Sequence, residues 1–327
     1  MFRPSSTLKP VIYDVNPEEY HAPQKAARGT PEFVMSRSEL EKFNICASKW
    51  KRNGYVQPET QALVWGGLMD VVVLTPDILE SAYVTYPETY KKVMMQCPDC
   101  GGVADSKKCK ACNKPRIQSE VEMAWDLHSS TCRKWALDRR AEGKIPIKAE
   151  MMSDAWAANA RLKEDEEIMA ILECSKKQVQ LNLEWHCEDT GIVVPWKMLL
   201  DIVPEPSSEF GNTIYDFKTS RNLDRRKWKL QVFNDNLHLQ AALYLAGINA
   251  ATGLQYSNFG HIISESEPPW EPTVRPLDAE WMAMATVDYK IGMRRYCECI
   301  VTGKWPGYDR DAVRPDIWMA WAGSEYD

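Results

Sequence analysis

The sequence predicts an α/β (α+β) fold: a small central mixed sheet flanked by helices, carrying one cysteine-rich insertion. Three observations predict it. Three strand-like runs follow one another between about 178 and 219, helical spacing of apolar residues dominates on both sides of them, and residues 88–118 break both patterns with four cysteines.

Residues 1–33 are Pro-rich and aperiodic and read as an N-terminal arm, poorly ordered. A helix is expected over 36–52, where Leu40, Phe43, Cys46, Ala47 and Trp50 form an apolar stripe and Ser38 with Glu41 fits a capping box. A second helix covers 59–74 and stops before Pro76. After the cysteine-rich insertion, helical character is expected over 119–142 and 149–174. "QVQLNLEWHC" then alternates, with Val179, Leu181, Leu183, Trp185 and Cys187 on one face and Gln180, Asn182, Glu184 and His186 on the other. "IVVPWKMLLDIV" is nearly continuous apolar, as a central strand is, and "TIYDFKT" is the third strand. A helix over 225–248, a strand over 256–264 and a helix over 278–302 follow. These elements define a main domain over 34–310 with its insertion at 88–118, and a C-terminal tail over 311–327.

The 327 residues are 44% hydrophobic and 26% charged, an ordinary composition with chain enough for a sizeable core. No apolar run is long enough to span a bilayer, and "MFRPSSTLKPVIYDV" lacks the apolar centre of a signal peptide, so a cytoplasmic protein is expected. The net charge of −6 argues against nucleic-acid binding by the surface as a whole. Local patches override a net charge: Arg221, Arg225, Arg226, Lys227 and Lys229 stand against one acid, Asp224. That run reads equally as a solvated helix face or as a phosphate-binding one.

"CPDCGGVADSKKCKACNK" spaces Cys97, Cys100, Cys109 and Cys112 as C-x2-C-x8-C-x2-C. Each pair lets two thiolates converge on one cation, and four thiolates with no open position suit tetrahedral Zn²⁺ in a structural role. Two disulfides or a free thiol cluster are the alternatives. The remaining cysteines read as small buried hydrophobes.

"IYDFKT" places Asp216 and Lys218 on one face of a strand, with Tyr215 and Phe217 on the other. Asp201 ends the preceding strand and Glu184 sits on the polar face of the one before. A hairpin would bring Glu184, Asp201, Asp216 and Lys218 to one end of the sheet. Clustered carboxylates repel unless a cation lies among them, and hard oxygens favour Mg²⁺ or Mn²⁺. Lys218, protonated at neutral pH, suits orienting an attacking water and stabilising phosphorane charge.

With these residues in hand, the sequence resembles the PD-(D/E)XK nucleases, with Asp201 and then Asp216-Phe217-Lys218 as the signature. Gln240-Ala-Ala-Leu-Tyr244 is similar to the Q-x3-Y motif of the RecB-like branch, "SRSELEKFNICASKW" resembles that branch's opening helix, and "CECIVTGKWPGY" resembles the tail of RecE-like phage recombination exonucleases. The family carries Gly-x3-His on its second helix. Here Asp70 follows Gly66 by four residues. Relatives with an Fe–S cluster use one early and three late cysteines. This chain has Cys46, Cys297 and Cys299, one too few. The resemblance implies a Mg²⁺-dependent DNA exonuclease with Asp70, Glu184, Asp201, Asp216 and the Phe217 carbonyl on the metal, and Gln240 and Tyr244 supporting catalysis. It also implies a ring-forming homo-oligomer that meets DNA through the basic run, with Lys176 and Lys177 as weaker contacts, and hands its single-stranded product to an annealing protein. A Cas4-like or repair nuclease acting on single strands or flaps, and an inactive zinc-containing DNA-binding protein, stand as alternatives.

Overall fold

The computed structural model describes residues 1–53, 58–104 and 106–308. In chain order, strands β1 (Phe2–Pro4) and β2 (Val11–Ile12) precede one turn of helix, α1 (Pro17–Tyr20). Helices α2 (Arg37–Ile45), α3 (Ala47–Asn53), α4 (Gln61–Leu74) and α5 (Leu79–Ala82) lead to β3 (Tyr83–Thr85). The hairpin β4 (Thr89–Gln96) and β5 (Ile117–Ala124) carries the cysteine loop. It is followed by α6 (Ser130–Ala141), β6 (Ile145–Ile147), α7 (Ala149–Leu162) and α8 (Glu166–Glu173). The central strands are β7 (Ser175–His186), β8 (Val193–Pro204) and β9 (Thr213–Ser220). Then come α9 (Arg225–Asn234), α10 (Leu237–Thr252), β10 (Asn258–Glu265), β11 (Pro272–Pro276) and α11 (Ala279–Thr302).

The main sheet runs β1-β7-β8-β9-β10-β11, with β2 also on β7. Among the described strands of this sheet, only β9 and β10 pair in parallel, so the sheet is mixed, as expected. Two apolar layers enclose it. In one, Val179, Leu181, Leu183, Trp196, Met198 and Leu200 pack against Leu40 and Phe43 of α2, Leu239 and Leu243 of α10, and Met293 and Tyr296 of α11. In the other, Ile202, Tyr215, Phe217 and Ile262 meet Leu68, Met69 and Val72 of α4 and Ala155, Ala158 and Leu162 of α7. Gly247 on α10 lets that helix lie close to the sheet: a Cβ there would come 2.5 Å from Met198 Sδ.

Several expectations need correction. The first 33 residues do not trail from the domain. β1 and β2 pair along the β7 edge, and Phe2 packs edge-on against Trp185 and Trp196. The first helix starts at Ser36, whose hydroxyl accepts from the Glu39 amide, and not at Ser38; Glu39's carboxylate is instead taken by Trp50 Nε1 at 2.7 Å and Arg28 at 3.1 Å. That helix breaks at Cys46, whose backbone is extended. Residues 117–124 are a strand and not helix, because "SEVEMA" alternates and pairs with β4, which wins over helical propensity. The helix expected over 225–248 is two helices hinged at Asn236, which adopts the left-handed conformation that asparagine tolerates. Residues 311–327 lie outside the described residues. No single helix among the described residues is long and apolar enough to cross a membrane.

Candidate active site

The ladder between β8 and β9 holds only at Ile202 and Tyr215 among the described residues. Two residues on, the Phe217 amide donates to Asp201 Oδ2 at 3.1 Å instead of to a strand carbonyl. A side chain thus completes the backbone accounting where two strands part. The opening holds the acids. Asp216 is 1% exposed, its Oδ2 is ion-paired with Lys218 Nζ, and its Oδ1 accepts from Gln240 Nε2 at 2.6 Å. Lys218 Nζ also donates to the Phe217 carbonyl at 3.1 Å. Asp70 comes in from α4 and Tyr244 lies one helical turn beyond Gln240 on α10, so both reach the same place. Asp70, Asp201, Asp216, Lys218, Gln240 and Tyr244 line one cleft of about 880 Å³.

Three carboxylates share one ammonium here, and that imbalance sets how each group titrates. Burial and the Asp216 charge push Asp201 well above the carboxylate range, against the pull of Lys218. Crowding by protein pushes Asp70 up to about 7, with Lys218 opposing and Asp216 adding to it. Asp70 is nonetheless exposed at the cleft wall. For Asp216 burial works in the opposite sense, but Lys218 and then His261 hold it below its ordinary value. Lys218 rises despite its burial because Asp216, Asp201 and Asp70 all favour its charged form. Burial raises Tyr244 well above the phenol range, so it remains an O–H donor.

Glu184 is not part of this group. It lies six residues along β7 from the position opposite Asp201, about 20 Å at the strand rise. There Ser6 N and Oγ donate to it at 2.8 and 2.5 Å, and His186 lies 3.2 Å away. These bonds hold its pKa down and tie the N-terminal segment to the sheet edge. Alternation placed Glu184 on the right face but at the wrong end. The position opposite Asp201 is occupied by Gln178, a left-handed residue (φ 48°) at which one rung of the β7–β8 ladder is missing while the register stays the same on both sides. Its Nε2 donates to Asp201 Oδ1 at 3.5 Å and its buried Oε1 has no hydrogen-bond partner. A lone polar residue at a strand start gave no signal of this. His261 was likewise missed: it stands beside Asp216 on β10, fully buried, with neither ring nitrogen hydrogen-bonded among the described residues, and burial lowers its pKa to about 4.

The expected basic run lies away from the cleft lining. Arg221 pairs with Glu267 at 3.1 Å, and Arg225, Arg226, Lys227 and Lys229 are exposed on α9, capped by Asp224. Lys176 faces Glu205 at 3.5 Å. The cleft has its own cations: Lys25, Arg28, Arg37, Lys42 and Lys197.

The second site is the loop between β4 and β5. One sulfur each from Cys97, Cys100, Cys109 and Cys112 lie within 4.8 Å of one another. The two halves repeat one turn. Gly101 N donates to Cys97 O and Asn113 N to Cys109 O, and Gly101 (φ 68°) and Asn113 (φ 55°) are both left-handed. Amides of Cys112 and Ala111 lower the Cys109 thiol to about 6. All ten cysteines are free, and Cys46, Cys297 and Cys299 are buried in the apolar interior.

A family model described as a PDDEXK-like domain of unknown function (DUF3799) matches residues 35–312. No curated protein matches the chain in sequence. Among solved structures, that of a presumptive exonuclease from Eubacterium rectale is similar over 94% of this chain and 97% of its own, at 14% identity and a TM-score of 0.49. Rai1 of Scheffersomyces stipitis, solved with 3'-NADP+ and calcium, covers 93% of this chain and 77% of its own at 8% identity and a TM-score of 0.27.

Proposed function

This chain belongs to the PDDEXK-like domain family, and so to the PD-(D/E)XK nuclease superfamily, and from that premise we propose that it is a divalent-metal-dependent deoxyribonuclease acting at duplex DNA ends. The observation that carries the reading is the cleft with three carboxylates facing one ammonium, with Asp70 pushed up to about 7 and Asp201 well above the carboxylate range. Such a donor set of hard oxygens, short of positive charge, fits Mg²⁺ or Mn²⁺. Asp70, Asp201, Asp216 and the Phe217 carbonyl would hold the ion. When bound, it supplies Lewis acidity to the phosphoryl group and lowers the pKa of a water.

The chain's own groups account for the rest. Gln240 fixes the Asp216 carboxylate through one oxygen, and the Phe217 amide fixes Asp201 through one of its own. Lys218 stays protonated and so stabilises charge developing on the phosphorus oxygens and orients the attacking water, not acting as its base. Tyr244 keeps its proton and can donate to the same centre. Asp70 takes the place of the family histidine, and an acid there suits Mg²⁺. The four cysteines would hold a structural zinc ion, whose four thiolate bonds would close the tip of the β4–β5 hairpin. The finer reading, a ring-forming exonuclease that leaves single strands for an annealing protein, is supported by the RecE-like motifs of the sequence.

The test is digestion of linear and covalently closed duplex with Mg²⁺, Mn²⁺ or EDTA. Loss of linear DNA alone, abolished by EDTA and by Asp216→Asn, is expected. Equal cutting of closed circles would replace the exonuclease with an endonuclease, and a Lys218→Ala protein as fast as wild type would remove the site assignment.

A further inference from the structure

Residues Tyr20–Arg28, ahead of the stretch the family model matches, form one wall of the catalytic cleft. This strap is pinned at three points. Gln24 exchanges two hydrogen bonds with the Val34 backbone at 2.7 and 2.9 Å, Arg28 pairs with Glu39, and Tyr20 meets Lys197. Lys197 projects from β8 on the same side as Leu199 and Asp201, since the three alternate along the strand and all line the cleft. Its ammonium donates to the Tyr20 carbonyl and lies 4.5 Å from the Tyr20 ring centroid, while Tyr20 Oη donates to the Lys197 carbonyl at 3.3 Å.

The cations of this wall differ in their partners. Glu39 takes Arg28 and Lys42, and Glu41 takes Arg37 at 2.8 Å. Lys197 and Lys25 have no carboxylate within ion-pair distance among the described residues. Lys197 is half-buried, and a half-buried ammonium facing a cleft without a counter-anion is costly until an anion arrives. Burial lowers its pKa, with Glu39 opposing, and its charge in turn lowers that of His21 on the strap.

We infer that Lys197 with Lys25 of the strap forms a phosphate-binding subsite for the nucleic-acid strand, about 13 Å along β8 from Asp201 by strand rise, so that the strand lies against the strap and not against α9. This rests on the nuclease reading for the identity of the strand, and names which of two basic surfaces holds it.

The test is anisotropy of a labelled single-stranded oligonucleotide in EDTA across a salt series, with wild type, Lys25→Gln, Lys197→Gln and the double variant. In the double variant binding weakens and the slope of log affinity against log salt falls by about 1.4, at about 0.7 for each phosphate left unneutralised. Lys25 is exposed and makes no ion pair among the described residues, so a fall of about 0.7 in Lys25→Gln alone excludes mere loosening of the wall. Unchanged slopes in both single variants overturn the inference, as does binding lost on neutralising Arg225, Lys227 and Lys229 but kept in the double variant. Inorganic phosphate should displace the strand no better than chloride at equal ionic strength. Displacement specific to phosphate and lost in Lys197→Gln would mark a free-anion site and overturn it. A wild-type protein that binds no DNA would instead sink the nuclease reading itself.

Discussion

Lys218→Met tests the electrostatics of the cleft directly. The variant keeps the apolar stem and removes the one ammonium facing Asp216, Asp201 and Asp70. Asp216 is 1% exposed and Lys218 26%. Breaking a buried pair costs about 3–5 kcal/mol, and the partial exposure of Lys218 places this case near 3 kcal/mol. The Gln240 bond at 2.6 Å survives and keeps Asp216 from being wholly unsatisfied. Wild-type Asp216 is held below its unfolded value, so its contribution is present above about pH 4 and is lost as pH falls through the folded value. The variant therefore trails wild type across neutral pH, and the gap closes only as pH falls below about 4. A divalent ion at a hundred times its dissociation constant returns about 2.7 kcal/mol. The assay is urea unfolding in EDTA and in Mg²⁺, followed by the fluorescence of buried tryptophans such as Trp50 and Trp196. Equal stability of variant and wild type at pH 8 in EDTA, or no recovery in Mg²⁺, would refute the reasoning.

Three further outcomes are expected. Burial pushes Glu41 up to about 7 despite Arg37, so wild-type stability falls as pH rises from about 4.5 to 7, and Glu41→Gln should be more stable by about 1–2 kcal/mol at pH 8 and equal at pH 4 by thermal unfolding. Metal analysis should find one zinc per chain, lost in Cys109→Ser. Stripping it should open 97–116 to protease while the core persists, because the hairpin base rests on its own cluster of Tyr86, Tyr90, Trp125 and Trp135. Gln178→Ala should weaken Mn²⁺ binding by about tenfold in calorimetry, since it removes a bond to Asp201.

The chemistry of the cleft was legible wherever it followed a short period. Asp216 and Lys218 two apart on a strand, Gln240 and Tyr244 four apart on a helix, and Asp70 four after Gly66 all arrive at one place, because backbone geometry alone sets which way each points. What long-range register decides was not legible. Glu184 has the right alternation, but nothing in "QVQLNLEWHC" says that β7 meets Asp201 at Gln178, a left-handed residue six positions before it. The strap was hidden for the same reason. Residues 20–28 have no periodicity, and their order comes from distant partners, Lys197, Val34 and Glu39. The basic run on α9 was conspicuous in sequence because its cations are contiguous, whereas those of the cleft come from the strap, α2 and β8 and add up only in three dimensions.

The most direct measurement is anomalous diffraction from crystals soaked in Mn²⁺. A manganese peak bonded to both Asp201 and Asp216 is the result this account requires, with Asp70 as the neighbouring acid. Manganese bound only elsewhere, with Asp201 and Asp216 still turned to Lys218, Gln240 and the Phe217 amide, would contradict it.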